Sequence, residues 1–167
     1  VDITGADLGP DFRLTDHNGK ARTLADFRGK VVALFFGYTQ CPDVCPTSLA
    51  LTTAALKMLA PAELARVQVL FISVDPGRDT PEKLKQYAGY FHPNIAGVTG
   101  RPETIAAVAA RYGASYRMTP VESATGYVVD HSSVTSVIAP DGRLVEQLPH
   151  GTTPPEIVDA IRRWLPH

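Results

Sequence analysis

Two kinds of apolar pattern alternate along the chain, and their order predicts most of its elements. Residues 31–38 and 67–74 are near-continuous apolar runs, Val31-Val32-Ala33-Leu34-Phe35-Phe36 and Val67-Gln68-Val69-Leu70-Phe71-Ile72-Ser73-Val74. Such runs are the pattern of strands covered on both faces. After Pro46, positions Leu49, Thr52, Thr53, Leu56 and Leu59 fall on one helical face, and a proline suits a first helical position. Thr80-Pro81-Glu82 opens a second helix carrying Leu84, Tyr87, Ala88 and Phe91. A third apolar piece, residues 95–99, leads to a helix through Ile105, Val108 and Ala109 that ends near Tyr112. Near the start, residues 12–15 and 21–24 flank the turn cluster His17-Asn18-Gly19-Lys20, the signature of a hairpin. Late strands are expected at Tyr127-Val128-Val129, at residues 135–138 and, past the turn Pro140-Asp141-Gly142, at residues 144–147. A last helix runs from Pro154 or Pro155 to Leu165, and residues 120–126 break the pattern as a loop or small extra hairpin.

Early β-α-β units followed by a β-hairpin and a closing helix predict an α/β fold. Its mixed sheet is flanked by helices on both faces, in the thioredoxin-like order with an added N-terminal β-hairpin. At 167 residues the expectation is one domain over residues 1–167 with a substantial core. The apolar share of 44% and charged share of 20% are ordinary for a globular protein. A net charge of −1 gives no electrostatic reason to expect nucleic acid or an anionic membrane surface as partner. No apolar stretch approaches the roughly 18 residues that span a bilayer. The chain opens on Val1 with no visible signal peptide, so it reads as a processed chain or soluble fragment, any targeting or anchoring segment being absent from it.

Composition matters most at cysteine. The chain has two, in Phe36-Gly37-Tyr38-Thr39-Gln40-Cys41-Pro42-Asp43-Val44-Cys45-Pro46. Three residues separate them, one more than in a thioredoxin-type redox pair. They stand where a buried strand turns into a helix, and helix N-terminal amides stabilise thiolates. Pro42 and Pro46 follow the cysteines and stiffen the turn. A structural disulfide or two buried thiols remains the plain reading. A loop built to hold two sulfurs close together suits a metal or a reversible disulfide better.

A third ligand separates metal from redox chemistry, and the candidate is His131 in Val128-Val129-Asp130-His131-Ser132-Ser133. Two thiolates and one imidazole suit Cu(I), and Cu(II) with a weak fourth ligand; a structural zinc site wants a fourth protein ligand. Taken alone, a single histidine is more often a satisfied core or surface residue. That description is the expectation for His17 in its turn, His92 before Pro93, His150 before Gly151 and His167 at the end.

Three blocks in order carry a resemblance: Gly37 to Pro46, Asp75-Pro76-Gly77-Arg78-Asp79-Thr80, and Asp130-His131 with Pro140-Asp141-Gly142. Together they make the chain resemble the Sco/SenC family of thioredoxin-like copper-binding proteins over residues 12–165. The resemblance implies that Cys41, Cys45 and His131 bind copper for assembly of the Cu(A) centre of cytochrome c oxidase. It implies as partners the oxidase subunit carrying Cu(A) and a copper donor chaperone. It places the protein on the periplasmic side of a bacterial inner membrane or in the equivalent intermembrane space, held by an N-terminal anchor. Ser132-Ser133 depart from the bulkier or apolar residues common in relatives, which bears on access to the pocket more than on ligation.

Asp75, ending the second buried strand, is a candidate to complete a Cu(II) site, tune the thiolates or move protons. It equally reads as a strand stop before Pro76. Asp79 and Thr80 read as caps of the next helix, and Asp43 as a turn former. Two functions stay open. One is a copper metallochaperone. The other is a thiol-disulfide oxidoreductase in which Cys41 and Cys45 reduce the cysteines of an acceptor. A peroxiredoxin is disfavoured because Thr39 lies two residues before Cys41, not three.

Overall fold

The computed structural model describes residues 13–39, 44–112, 116–120, 127–131 and 134–165. Nine strands lie among them: β1 (Arg13–Asp16), β2 (Ala21–Thr23), β3 (Val31–Gly37), β4 (Val67–Ser73), β5 (Ile95–Thr99), β6 (Tyr116–Pro120), β7 (Tyr127–His131), β8 (Thr135–Ile138) and β9 (Leu144–Leu148). The helices are α1 (Val44–Met58), α2 (Pro61–Leu64), α3 (Pro81–Phe91), α4 (Pro102–Arg111) and α5 (Pro154–Trp164), with a 3-10 turn at Leu24–Phe27. Seven strands form one sheet in the order β2-β1-β5-β4-β3-β8-β9, and β6 pairs with β7 in a separate ribbon.

The apolar runs become the centre of the sheet. All seven residues of β3 are buried, and β3 lies parallel to β4 from Val31↔Val67 to Gly37↔Ser73. On its other side β3 is antiparallel to β8, with Phe35 opposite Thr135. Phe35 stacks on Phe71 at 6.1 Å, and Phe71 meets Tyr87 of α3 at 5.4 Å. Phe36, the next residue of the strand, meets Tyr112, just past α4, at 6.2 Å. Successive strand residues point to opposite faces, so α3 and the end of α4 cover opposite sides of the sheet. That is the mixed, two-faced α/β arrangement expected.

The N-terminal hairpin is β1–β2, closed by Asp16, whose Oδ1 accepts the amides of Asn18 at 2.9 Å and Lys20 at 3.0 Å. Gly19 sits at φ 79, a conformation that disfavours a side chain. Leu49, Thr52, Thr53, Leu56 and Leu59 are all buried, as the periodicity of α1 requires. Thr153 begins α5, its Oγ1 accepting the Glu156 amide at 3.4 Å while Glu156 Oε1 accepts the Thr153 amide at 3.2 Å. Three details differ from expectation. Helix α1 starts at Val44, so Pro46 is its third residue, still in the turn where amides need no helical partner. The short helix α2 was not foreseen. Strand β6, with Arg117 inside it and Pro120 at its end, lacks an apolar run and takes its order from pairing with β7, Tyr116↔His131 to Pro120↔Tyr127. The loop or small extra hairpin expected over residues 120–126 falls, apart from Pro120, outside the described residues. No described helix is long and apolar enough to cross a membrane.

Candidate functional site

Three segments leave the sheet at one end. Strands β3 and β4 finish side by side at Gly37↔Ser73, and the Val74 amide extends the ladder to the Gly37 carbonyl at 2.8 Å. From there one chain runs through Tyr38 and Thr39 into the cysteine loop, while the other runs into Asp75. Because β8 is antiparallel to β3 with Thr135 opposite Phe35, the start of β8 lies at this same end. His131 is the last residue of β7, four positions before Thr135. Cys45 is the second residue of α1. Cys41 lies outside the described residues, as do Asp43 and Ser132-Ser133.

The entry to the cysteine loop is tied down from below. Asp79, 1% exposed, receives the Thr39 amide at Oδ2 (3.0 Å) and the Thr39 hydroxyl at Oδ1 (2.5 Å). The Ser73 hydroxyl also donates to Oδ2, at 2.6 Å. Ser73 in turn accepts the Asp75 amide at 3.1 Å. A buried carboxylate with three donors is held by strong, charge-assisted bonds. It clamps the residue two positions before Cys41 to the end of β4. The expected capping role belongs to Thr80 alone, whose Oγ1 accepts the Lys83 amide at 3.3 Å.

Asp75 is fully buried, past the end of β4. Its Oδ2 takes the Arg78 Nε at 2.5 Å, and its carbonyl accepts the amides of Arg78 and Asp79 at 3.1 and 2.9 Å. The Arg78 guanidinium carbon sits 6.0 Å from the Tyr38 ring centroid. Asp75 therefore anchors the tight turn that carries both Arg78 and Asp79 back to the cysteine loop, a wider task than stopping a strand.

The remaining histidines divide between the two ends. His17 Nδ1 accepts the Gly97 amide at 3.2 Å, and His92 Nδ1 accepts the Asn94 amide at 3.0 Å. Both lie toward the opposite end of the sheet. Burial is the main cause that lowers the pKa of each, with Lys85 adding to it at His17 against an opposing pull from Asp16. Lys57 adds to it at His92. His150 is exposed beside Ser48 of α1, Nδ1 to Oγ 3.0 Å; His167 lies outside the described residues.

The model of the SCO1/SenC family matches residues 2–166. This chain belongs to the SCO1/SenC family. The bovine mitochondrial SCO2 homologue is 41% identical over 156 residues, which is 93% of this chain and 59% of the relative. The chain thus spans somewhat over half the length of that relative. Among solved structures, Bradyrhizobium japonicum ScoI with copper bound is 39% identical with a TM-score of 0.86, covering 95% of this chain and 99% of its own. Arabidopsis thaliana ScoI with copper bound is 35% identical with a TM-score of 0.87, covering 96% and 98%. The thioredoxin-like α/β fold of this Sco-family chain agrees with the expectation from its sequence.

Sequence reasoning missed the clamp of Asp79, Ser73 and Thr39, and a signal for it was present. Pro81 at the first helical position makes Thr80 the cap, which leaves the Asp79 carboxylate without a capping role.

Proposed function

We propose that this Sco-family chain is a copper carrier that holds Cu(I) or Cu(II) through Cys41, Cys45 and His131 and delivers it to an acceptor protein. The observation that carries this reading is the shared end of the sheet: the cysteine loop leaves β3 where β8, four residues after His131, begins. A set of two thiolates and one imidazole is soft enough for Cu(I) and admits Cu(II) with a weak further ligand. Cys45 stands in the first turn of α1, where unpaired amides and the helix dipole favour thiolate over thiol. The Asp79 clamp limits the freedom of the loop, and a restrained loop loses less entropy when it closes on a metal. Asp75, through its turn, supports the loop from one step further away.

Copper is the cargo, so the natural partners are a donor that supplies it and an acceptor that keeps it. The family resemblance points to the Cu(A)-bearing subunit of cytochrome c oxidase as acceptor. The compartment is one that tolerates thiol-disulfide chemistry, the bacterial periplasm or the intermembrane space, in keeping with the mitochondrial name of the bovine relative.

A second reading, thiol-disulfide reductase, is supported by the place of Cys45 at a helix N-terminus, which activates a thiolate as well for exchange as for ligation. Copper titration of the reduced, metal-free protein separates the two. The carrier binds one copper, and its Cu(II) form shows strong sulfur-to-copper charge-transfer absorption. In His131→Ala, Cu(II) binding weakens far more than disulfide exchange slows. Either cysteine changed to serine abolishes both activities. Absence of stoichiometric binding by the reduced protein removes the carrier reading.

A further inference from the structure

The loop end of the sheet holds another copper-competent side chain that the ligand set leaves unused. His150 lies in the turn between β9 and α5, and its Nδ1 is 3.0 Å from the Ser48 Oγ, a contact between positions 102 residues apart. Ser48 is buried on α1, three positions after Cys45, a spacing that puts two positions on one helix face. The Thr52 hydroxyl donates to the Ser48 carbonyl at 2.9 Å.

The sheet brings His150 to the same place from the other side. Thr135 is the register partner of both Phe35 and Leu148. His131 precedes Thr135 by four residues and His150 follows Leu148 by two. In an antiparallel ladder those two extensions run past the same end. Ser48, Thr135, Leu148 and His150 line one narrow notch, so its walls are chain neighbours of Cys45 and of His131.

We propose that His150 is a transient copper ligand at the rim of the Cys41, Cys45 and His131 site, through which the ion enters and leaves. The inference rests on the copper-carrier reading. The step is ligand exchange: a bond forms between the imidazole Nε2 and copper as a bond to a donor thiolate breaks, and no electron moves. The ring proton then resides on Nδ1, where the Ser48 oxygen accepts it, as outer partners do for metal-bound imidazoles. With the ring in its other tautomer, the Ser48 hydroxyl donates to Nδ1 instead, so the same pair serves the loaded and the unloaded state. An exposed imidazole is open to a partner protein's copper.

A ligand used only in passage lowers the barrier for entry and exit alike. It therefore changes both rates by one factor and leaves their ratio alone. The test supplies Cu(I) as its glutathione complex to the reduced protein and removes it with bathocuproine disulfonate, following both rates. His150→Gln is expected to slow uptake and release several-fold by the same factor, with Kd and Tm unchanged. His150→Met, which restores a soft ligand without the imidazole, is expected to recover both rates. Unchanged rates in His150→Gln overturn the inference. So does a change confined to one rate, which would make His150 a resident ligand, or equal slowing in both variants with a lowered Tm, which would make the Ser48 contact a structural tie. Failure of the wild type to bind copper overturns the carrier reading and this inference together; normal binding with unchanged rates overturns this inference alone.

Discussion

At the end of the sheet where β3 and β4 finish, the described buried polar groups include hydroxyls, amides and the carboxylates of Asp75 and Asp79, with contacts of 2.5 to 3.0 Å onto Asp79. At the opposite end, beneath β4 and β5, the polar groups include two imidazoles that accept backbone amides. There a cleft of about 190 Å3 is lined by Asp16, His17, Arg22, Gln68 and Asn94. Asp16 and Arg22 pair across it at 2.9 Å. The first end is tied by a buried carboxylate that gathers three donors, and the second by imidazoles whose pKa values burial lowers. The difference teaches how one sheet can present a restrained loop at one edge of its strands while leaving the other edge responsive to acid. It also predicts that the two ends can be damaged separately.

The largest effect is expected at the clamp. Asp79→Ala leaves the Thr39 amide, the Thr39 hydroxyl and the Ser73 hydroxyl without their acceptor, and unsatisfied buried donors of this kind should cost about 3 kcal/mol in all. The variant should also bind copper more weakly, because the loop it frees carries Cys41. Denaturant unfolding and copper titration of the same sample check both effects. Asp141→Ala, which removes a carboxylate exposed in a surface turn, should change neither by a measurable amount. Lost stability with copper affinity intact would reduce the clamp to a structural tie and remove its link to the site.

How much of this could be read from the sequence depends on how far apart the partners lie. Strands β3 and β4 were legible because burial on both faces writes itself as an apolar run. The β1–β2 turn was legible from Asn18-Gly19, and the start of α5 from its prolines. Asp79 was missed because its partner is 40 residues upstream, although Pro81 hands the capping role to Thr80 and leaves the Asp79 carboxylate without one. Strand β6 was hidden because its order comes from β7. His150 read as one more surface histidine, since Ser48 is 102 positions away. The proposed copper ligands were legible only as a pattern of residue types joined by a family resemblance. The fold adds that Cys45 and His131 approach one end of the sheet, while Cys41 itself lies outside the described residues.

A smaller effect is expected at Gly97, on the histidine side of the comparison. Gly97 lies opposite Phe71 in β5, and a Cβ built there would stand 2.8 Å from the Leu84 Cβ and 3.3 Å from the Leu84 carbonyl oxygen. Neither atom is the free end of a side chain, so α3 must move away. Gly97→Ala should therefore cost about 1–3 kcal/mol, the usual range for overpacking. Gly100→Ala is the control, because its Cβ would meet Leu14 Cδ2 at 3.1 Å, a side-chain tip that can rotate aside. Copper stoichiometry should stay at one in both. Loss of copper binding in Gly97→Ala would mean that the two ends are coupled, against the separation drawn above.

The smallest expected effect is a loss of stability in mild acid. His17 and His92 each present Nδ1 to a backbone N–H, and that nitrogen cannot accept once it carries a proton. Burial lowers both pKa values below the ordinary 6.5, with Lys85 near the first and Lys57 near the second adding repulsion; Asp16 partly offsets this at His17. The unfolded chain then binds more protons than the folded one just below 6.5, so stability rises with pH there. The contribution is complete above the unfolded value and is lost as pH falls through the folded values. The carboxylates lowered by their partners act in a separate window. At Asp16, burial opposes ionisation, but the Arg22 guanidinium and the Lys20 and Asn18 amides outweigh it. Its contribution is lost only as pH falls below the ordinary 3.8. Urea unfolding between pH 7.5 and 5 should show a shallow decline for the wild type, and the double variant His17→Gln, His92→Gln should flatten it. A decline of equal slope in the double variant would move the acid-sensitive groups away from this end of the sheet.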